Sequence, residues 1–560
     1  MDAYTNLKKE TKEKKKMKKK LLGIFVILIL LKILLAVCIP VPLGFSDSLT
    51  HIDGAKAFFS NPSFSSAIST QKYTLFPIIS SMFLFITDMN RVYFLIMILN
   101  AILSSLLIFP MYQLAREFLE EKESALLATV IAVLPAVFIS SYYVMSEALF
   151  YLLLITTIYC IFKAYTEKRI LWDILTGVLL GLTFLTKASA IILLPMIIIL
   201  FLKAIKNKEW GIVKNKTLLG ITSLTVLLPF LVAKAEKNGF TLSGIFGYSS
   251  EVQNITQGTN IFAKILWTFF YTDYLLLASG LLSVLILFYA LTKYKQKTEK
   301  EKVLLQIVLW LSLGVILLAA NNGSHFANIN DTRVIGRYVE LAIPFLLLTS
   351  IVFMKDWKRN WDFTKIIIIA LVSITTPFIL TKALFPLNNA GLSDIGALQI
   401  FLQILSIPIW VIIIPLLIIT IGIMNTRKIK QRKYLSILFI YFLLTSLLCT
   451  AMIIYDTNKN WESLEEVRLG KWINTNLDKN ASFLIDETDM PQVDYRDKPS
   501  DVTQTKDRPL TVIAYWIYGN YVVTNISEAN AYDYVISTQD LPYTIVAQGE
   551  TIKIYEVNTT

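Results

Sequence analysis

The residues best suited to chemistry in this sequence are carboxylates and cations that interrupt or flank long apolar runs. Asp47 and Asp53 stand six positions apart in FSDSLTHIDGAKAFF, with His51 between them. Lys72 and Tyr73 follow in QKYTLFPIIS, and Glu147 lies at the head of SEALFYLLL. Lys187 sits inside GLTFLTKASAIILLP, and Arg333, Arg337 and Tyr338 belong to NDTRVIGRYVELAIP. A charge beside lipid is costly unless it has a role. One or two carboxylates with one or two cations suit the transfer of a group from a lipid phosphate to a hydroxyl. The hydroxyl must lose a proton as it attacks, and a carboxylate can take it. The leaving phosphate gathers negative charge, which a guanidinium can meet with paired hydrogen bonds.

Each of these residues also has a plainer reading. Asp47 can cap a helix that begins at Ser48. Lys72 and Tyr73 can mark a helix entry broken by Pro77, and Glu147 suits any helix N-terminus. Lys187 can be a lysine that reaches along its stem to the interface. Arg337 can pair with Asp331 or Glu340. Only two histidines are present, His51 and His325, which excludes a multi-histidine metal site. No Asp-x-Asp pair stands out in the loops assigned to the outer face, so the reaction is expected to need no metal and no other cofactor. Cys38, Cys160 and Cys449 all lie in apolar runs, with spacing that fits neither a zinc site nor a disulfide framework.

The elements that must position these groups follow from composition. The chain has 560 residues, 55% of them hydrophobic and only 17% charged, too apolar for a soluble domain of this length. Apolar runs near 21–43, 92–114, 124–141, 145–163, 172–187, 189–205, 217–233, 274–292, 303–320, 336–354, 365–381, 397–424 and 434–454 approach the length that crosses about 30 Å of hydrocarbon. Nine lysines between positions 8 and 20 precede the first run and hold it with the N-terminus in the cytoplasm. The loops then alternate. AREFLEEKES, KAYTEKRILWD, KAIKNKEWGIVKNK, KYKQKTEKEK, KDWKRNWDFTK and NTRKIKQRK are read as inside, and all but the first are rich in Lys and Arg. SYY, NNGSHFANINDTR and ALFPLNNAGLSD are read as outside and are lysine-poor.

This predicts a polytopic α-helical membrane protein of about thirteen transmembrane helices, multi-pass in the cell membrane. A Lys-rich tail (1–20) precedes a membrane domain (21–455) with long outer loops at 44–91 and 234–273. Residues 76–86 are too short to span and are expected at the interface. A small extracytoplasmic α/β domain (456–560) closes the chain. From Asp456 onward there are 17 acidic and 9 basic residues, a balance of −8, so the rest of the chain carries +20, in short loops where it orients helices. Nucleic acid is not an expected partner; membrane lipid is. WESLEEVRLGKWINTNL reads as an amphipathic helix, and TVIAYWIYG, AYDYVIST and TIKIYEV read as strands. Tyr515, Trp516, Tyr518 and Tyr521 would serve either core packing or stacking on sugar rings.

In their order along the chain, SDSLTHIDGAKAFF, YTLFPIIS, SEALFYLLL, GVLLGLTFLTKASAIILLP and GRYVELAIP resemble the motifs of the GT-C glycosyltransferases. The similar branch, glycosyltransferase family 39-like, holds the protein O-mannosyltransferases and the aminoarabinose lipid A transferases. The resemblance covers roughly residues 20–350. It implies an inverting transfer of a sugar such as mannose from a polyprenyl- or dolichyl-phosphate donor to a hydroxyl at the outer membrane face. The acceptor would be a protein, a lipid or a glycan. Asp47 would be the base. Arg337, with Tyr338, Lys187 and Arg333, would meet the donor phosphate. His51, Asp53, Lys72, Tyr73 and Glu147 would lie around the acceptor or behind these groups. The sequence departs from the pattern at Asp47–Ser48, where the family has Asp-Glu, and at His51, where it has Tyr. The Trp-Trp-Asp signature of oligosaccharyltransferases is absent, so en bloc transfer to asparagine is not expected. Two other classes fit many helices and a charged cavity: a lipid or polysaccharide flippase, and a non-catalytic assembly protein that displays the C-terminal domain. A flippase would move labelled lipid without forming product. An assembly protein would lose all function with residues 456–560.

Overall fold

The computed structural model describes residues 2–42, 45–67, 75–239, 261–279, 282–328, 334–354, 431–486 and 509–557. The helices run α1 (Asp2–Ala36), α2 (Phe45–Ser60), α3 (Phe64–Ala67), α4 (Leu75–Ser80), α5 (Met89–Leu106), α6 (Ile108–Ala115), α7 (Glu121–Ala132) and α8 (Pro135–Ile139). They continue with α9 (Glu147–Thr166), α10 (Ile170–Thr186), α11 (Leu194–Lys206), α12 (Trp210–Asn238), α13 (Ile261–Ala278), α14 (Leu282–Thr292), α15 (Glu299–Asn328), α16 (Ile343–Phe353) and α17 (Gln431–Asp456). The C-terminal domain adds α18 (Glu465–Asn476) and α19 (Pro509–Trp516). Its strands are β1 (Phe483–Asp486), β2 (Tyr521–Thr524), β3 (Tyr534–Ser537), β4 (Thr544–Gln548) and β5 (Lys553–Glu556). The chain divides into two compact units. One holds residues 1–30, 102–139 and 147–449; the other holds 31–101, 140–146 and 450–560.

The first unit is helical and apolar. Among the described residues of the whole chain, seven helices are long and apolar enough to cross a membrane. They become eight if α7 and the segment from Pro135 to Tyr142, bent by 58°, form one broken span. Proline lacks the N–H that would continue the ladder, which accounts for the bend. The count of thirteen expected crossings is not confirmed by these helices, since the runs at 365–381 and 397–424 lie outside the described residues. One departure concerns 261–273, read from sequence as outer loop. This stretch is the first part of α13, because IFAKILWTFFYTDYLLLA is apolar and aromatic throughout.

Helix packing in this unit follows small residues. Gly177 and Gly181, one turn apart on α10, face Thr222 and Val226 of α12. A Cβ at Gly177 would fall 1.9 Å from the Thr222 hydroxyl, and one at Gly181 would fall 2.8 Å from Val226. Only glycine lets the two backbones approach this closely, the small-xxx-small arrangement of membrane helices. Thr157 of α9 and Thr183 of α10 add a hydrogen bond of 2.9 Å between hydroxyls.

Among the described residues, side chains of loops read as cytoplasmic contact one another in this unit. Glu117 accepts from Lys163 at 2.6 Å and from Lys300 at 2.7 Å. Lys216 donates to Asp173 at 2.6 Å. The Lys297 ammonium lies 4.6 Å from the centre of the Phe353 ring, and Gln431 donates to the Ile351 carbonyl at 2.6 Å. These contacts join residues of five of the loops with the end of α16, and KDWKRNWDFTK lies outside the described residues.

In the second unit the C-terminal domain is a five-stranded sheet in the order β2-β1-β3-β5-β4. β1 runs parallel to both β2 and β3, and β5 pairs antiparallel with β3 and β4. Side chains alternate across the sheet. Phe483 and Ile485 point into a core with Leu469, Ile473, Ile513 and Ile517 of the helical layer, while Leu484 joins Val535 and Tyr555 on the reverse face. Gly470 of α18 makes room for α19, since a Cβ there would lie 2.1 Å from the Trp516 ring. The amphipathic helix and the strands at 534–537 and 553–556 are as expected. TVIAYWIYG is not a strand: it forms most of α19. Its residues from Val512 to Ile517 are buried on all sides, and such a run shows no period that separates a helix from a strand.

Candidate active site

Three segments distant in sequence bring Glu147, Lys187 and Arg337 together in the first unit. Glu147 is the first residue of α9, where a carboxylate is favoured by the helix dipole. Lys187 ends α10. Its backbone is extended, and a 3-10 turn (Ala188–Leu193) leads from it to Pro195 in the first turn of α11. The lysine thus projects at the break between two helices, as the sequence had placed it. Arg337 sits in the 3-10 turn Gly336–Tyr338, ahead of α16. Lys187 Nζ donates to Glu147 Oε1 at 2.7 Å, and Arg337 Nη1 lies 3.9 Å from the same oxygen. Their side chains are between 14 and 28% exposed, so the cluster is partly open. At 3.9 Å the arginine contact is longer than a direct hydrogen bond, and its guanidinium carries five donors.

Packing fixes the turn that carries Arg337. Tyr274 of α13 donates its hydroxyl hydrogen to Glu340 Oε1. That hydroxyl presses against Gly336, where a Cβ would sit 2.1 Å from it. Tyr271, one turn earlier, accepts the Ile335 N–H at 3.2 Å. A cavity lined by Leu134, Pro135, Tyr151, Ala278, Glu340 and Phe442 lies beside this carboxylate. Tyr338 packs at the margin of the unit's apolar core. Sequence reasoning weighed Glu340 only as a partner for Arg337 and passed over Tyr274, Gly336 and the buried Asp273. The available signal was an acidic residue inside each of the apolar runs YTDYLLLA and YVELAIP.

The second unit holds the other candidates. α2 begins at Phe45, so Asp47 is the third residue of the helix rather than its cap, a position the helix dipole also favours for an acid. Its side chain lies outside the described residues, as do Lys72, Tyr73 and Arg333. His51 is buried, with its ring edge-on to Phe76 of α4 at 5.2 Å. Asp53 accepts a hydrogen bond of 2.5 Å from the Tyr521 hydroxyl and lies 3.9 Å from Lys56 Nζ. Lys56 donates in turn to the Ile517 carbonyl. Burial pushes the Asp53 carboxyl above the usual carboxylate range, against the pull of Lys56 and Tyr521. Burial pushes the Lys56 ammonium down, against Asp53. Asp53 is therefore engaged by the C-terminal domain. The aromatic residues considered for sugar stacking are committed as well. Tyr515 and Trp516 are fully buried, Tyr518 donates to the Leu84 carbonyl at 2.7 Å, and Tyr521 holds Asp53.

Among the described residues, no three His, Cys, Asp or Glu side chains converge in a way that would hold a metal ion. The Glu147 cluster instead sets two cations against one carboxylate oxygen, and groups of that kind bind anions.

Comparison with known proteins agrees with the motifs read from the sequence. The family described as dolichyl-phosphate-mannose-protein mannosyltransferase matches residues 75–233. No curated protein matches the chain. Among solved structures, the chain is similar to ArnT from Cupriavidus metallidurans in the apo state, with a TM-score of 0.59 at 10% identity over 96% of this chain and 98% of that one. The same protein bound to undecaprenyl phosphate gives 0.57 at 10% identity, with coverage of 96% and 98%. The apo Archaeoglobus fulgidus oligosaccharyltransferase gives 0.45 at 12% identity, over 92% of this chain and 69% of that one, a likeness too slight to carry an argument. Residues 75–233 thus match a mannosyltransferase family, and the chain shares its fold with ArnT along nearly its whole length.

Proposed function

We propose that this enzyme moves a sugar, mannose being the first candidate, from a polyprenyl-phosphate carrier to a hydroxyl acceptor at the extracytoplasmic face of the cell membrane. The N-terminus is then cytoplasmic and the C-terminal domain extracytoplasmic. In the reaction, the acceptor oxygen bonds to the anomeric carbon while the bond from that carbon to the phosphate oxygen breaks. The acceptor proton passes to Asp47, and the lipid phosphate leaves with the bonding pair. A single displacement of this kind inverts the anomeric centre. Arg337 meets the charge that builds on the phosphate, with Lys187, Arg333 and Tyr338 around it. Glu147 orients the cations, and His51, Lys72 and Tyr73 lie toward the acceptor.

The observation that carries this reading is the convergence of Lys187 and Arg337 on Glu147 from separate segments. Lipid-phosphate chemistry is supported by the dolichyl phosphate in the family's description and by the undecaprenyl phosphate bound to the ArnT of similar fold. Loss of a general base lowers turnover by about 100- to 10,000-fold. Asp47→Asn, assayed in vesicles with polyprenyl-phosphate mannose, is expected to show a fall of that size while still binding undecaprenyl phosphate. Arg337→Ala should instead weaken binding of undecaprenyl phosphate by about 10- to 100-fold, the worth of a charge-assisted hydrogen bond. Full turnover by Asp47→Asn would refute the assignment of the base.

A further inference from the structure

The second unit shows what the C-terminal domain does to the helix that bears Asp47. We propose that this domain is a clamp on α2, with Tyr521, Asp53 and Lys56 as positioning residues that set the direction in which Asp47 is presented. The inference rests on the reading of Asp47 as the base.

Leu49, Asp53 and Lys56 of α2 meet the domain. Leu49 packs against the core formed by α18, α19 and the sheet. Asp53 accepts from Tyr521, at the start of β2. Lys56 donates to the carbonyl of Ile517, which follows α19. Positions 49, 53 and 56 fall within about 60° of one another on an α-helix of 3.6 residues per turn. They form one face, and the attachment reaches both the sheet and the helical layer. On the same wheel position 47 lies about 120 to 180° away from them. The domain therefore grips one side of α2. His51 packs edge-on against Phe76 of α4, so the helix is pinned from a second direction.

The clamp also reaches the next membrane helix. Asn474 of α18 accepts the Met89 N–H at 3.0 Å and donates to Asp88 at 3.0 Å, which caps the N-terminus of α5. Helix α2 and the start of α5 are thus both fastened to the C-terminal domain. A rigid element held in this way suits a base that must meet an acceptor proton within hydrogen-bond reach. A shift of about 1 Å in such a group can reduce a rate by about 100-fold.

The test uses the full chain in vesicles, with polyprenyl-phosphate mannose as donor and Asp47→Asn as a parallel control. Tyr521→Phe and Lys56→Met are expected to lower kcat by about 10- to 100-fold while KM for the donor stays within about two-fold. Lys56→Arg, which keeps a cationic donor for the Ile517 carbonyl, should recover most of the loss. A second readout does not need turnover. In an Asp47→Cys, Cys38→Ser chain, the rate of labelling at position 47 by a membrane-impermeant maleimide should change when Tyr521→Phe and Lys56→Met are added. If both clamp variants turn over and label as their parents do while Asp47→Asn is inactive, the clamp is overturned and the base stands. If Asp47→Asn is fully active the base reading fails, and an unchanged labelling rate would then reject the clamp on its own evidence.

Discussion

Helix α10 carries an ion pair at each end, and the two are built differently. At its N-terminal end Asp173 takes a hydrogen bond of 2.6 Å from Lys216 of α12, and both side chains are only 1% exposed. Lys216 also donates to the Ala164 carbonyl and lies 3.9 Å from the centre of the Tyr165 ring. Fourteen residues later, about 21 Å along the axis, Lys187 meets Glu147, which Arg337 approaches as well. This second group is partly open, and its carboxylate oxygen is shared by two cations. The first end is sealed, one acid to one cation, and fits a structural latch. The second is accessible to an anion that competes with Glu147, and fits a binding site. The contrast lies in solvent access and in the number of cations around the acid, since both ends use the same residue types.

The largest effect is expected from breaking the sealed end. Asp173→Ala leaves Lys216 charged in an apolar setting, and removal of one member of a buried pair destabilises by about 3–5 kcal/mol. Folded protein recovered in detergent and its thermal midpoint should both fall sharply. The double variant Asp173→Leu with Lys216→Met should recover most of this loss, because apolar residues often replace a buried pair without penalty. The recovered protein should still transfer sugar. If Asp173→Ala folds normally and only turnover suffers, the sealed pair is functional and the contrast between the two ends is wrong.

A smaller effect is expected where packing supports the open end. In Gly336→Ala the new methyl would lie 2.1 Å from the Tyr274 hydroxyl and 3.0 Å from Glu340 Oε1. Overpacking of this kind costs about 1–3 kcal/mol. The turn that holds Arg337 should shift, so binding of undecaprenyl phosphate should weaken along with stability. The Tyr274 ring carbon Cζ would also lie 2.4 Å from that methyl, so Tyr274→Leu, which removes both hydroxyl and ring, should restore part of both when combined with Gly336→Ala. Separate losses that simply add would show that Gly336 and Tyr274 do not act as one support.

How much of this was legible in the sequence differs between the two ends. Glu147, Lys187 and Arg337 stood out because a charge in or beside an apolar run demands a reason, and the alternation of charged loops put all three on one side. Asp173 and Lys216 lie in the equally charged segments KAYTEKRILWD and KAIKNKEWGIVKNK. They read as solvated loop residues, because nothing local distinguishes a lysine that finds a buried partner forty-three positions away. The same limit applies to Tyr274 and Gly336, whose contact is a product of tertiary packing. In the C-terminal domain, alternation found β3 and β5 but turned α19 into a strand, since a segment buried on all sides carries no phase. The role of Asp53 was likewise hidden. Its partner Tyr521 is 468 positions away, and the sequence showed only an acid near Asp47.

The finest probe of the contrast is Glu147→Gln. This change keeps the size of the side chain and an oxygen that can accept from Lys187, but it removes the negative charge between the two cations. If Glu147 only stabilised the fold, its loss would lower stability and leave anion binding unchanged or weaker. If it competes with an incoming phosphate for Lys187 and Arg337, its loss should make undecaprenyl phosphate bind several-fold tighter. The stability cost should be small, about 1 kcal/mol or less, because partly exposed ion pairs contribute little. Turnover should then fall through slower release of the lipid phosphate, with KM and kcat decreasing together. Since screening by salt acts on open charges more than on sealed ones, the gain in affinity should fade as ionic strength rises. A gain that persists in high salt would place these cations in a sealed site like that of Lys216 and remove the difference between the two ends of α10.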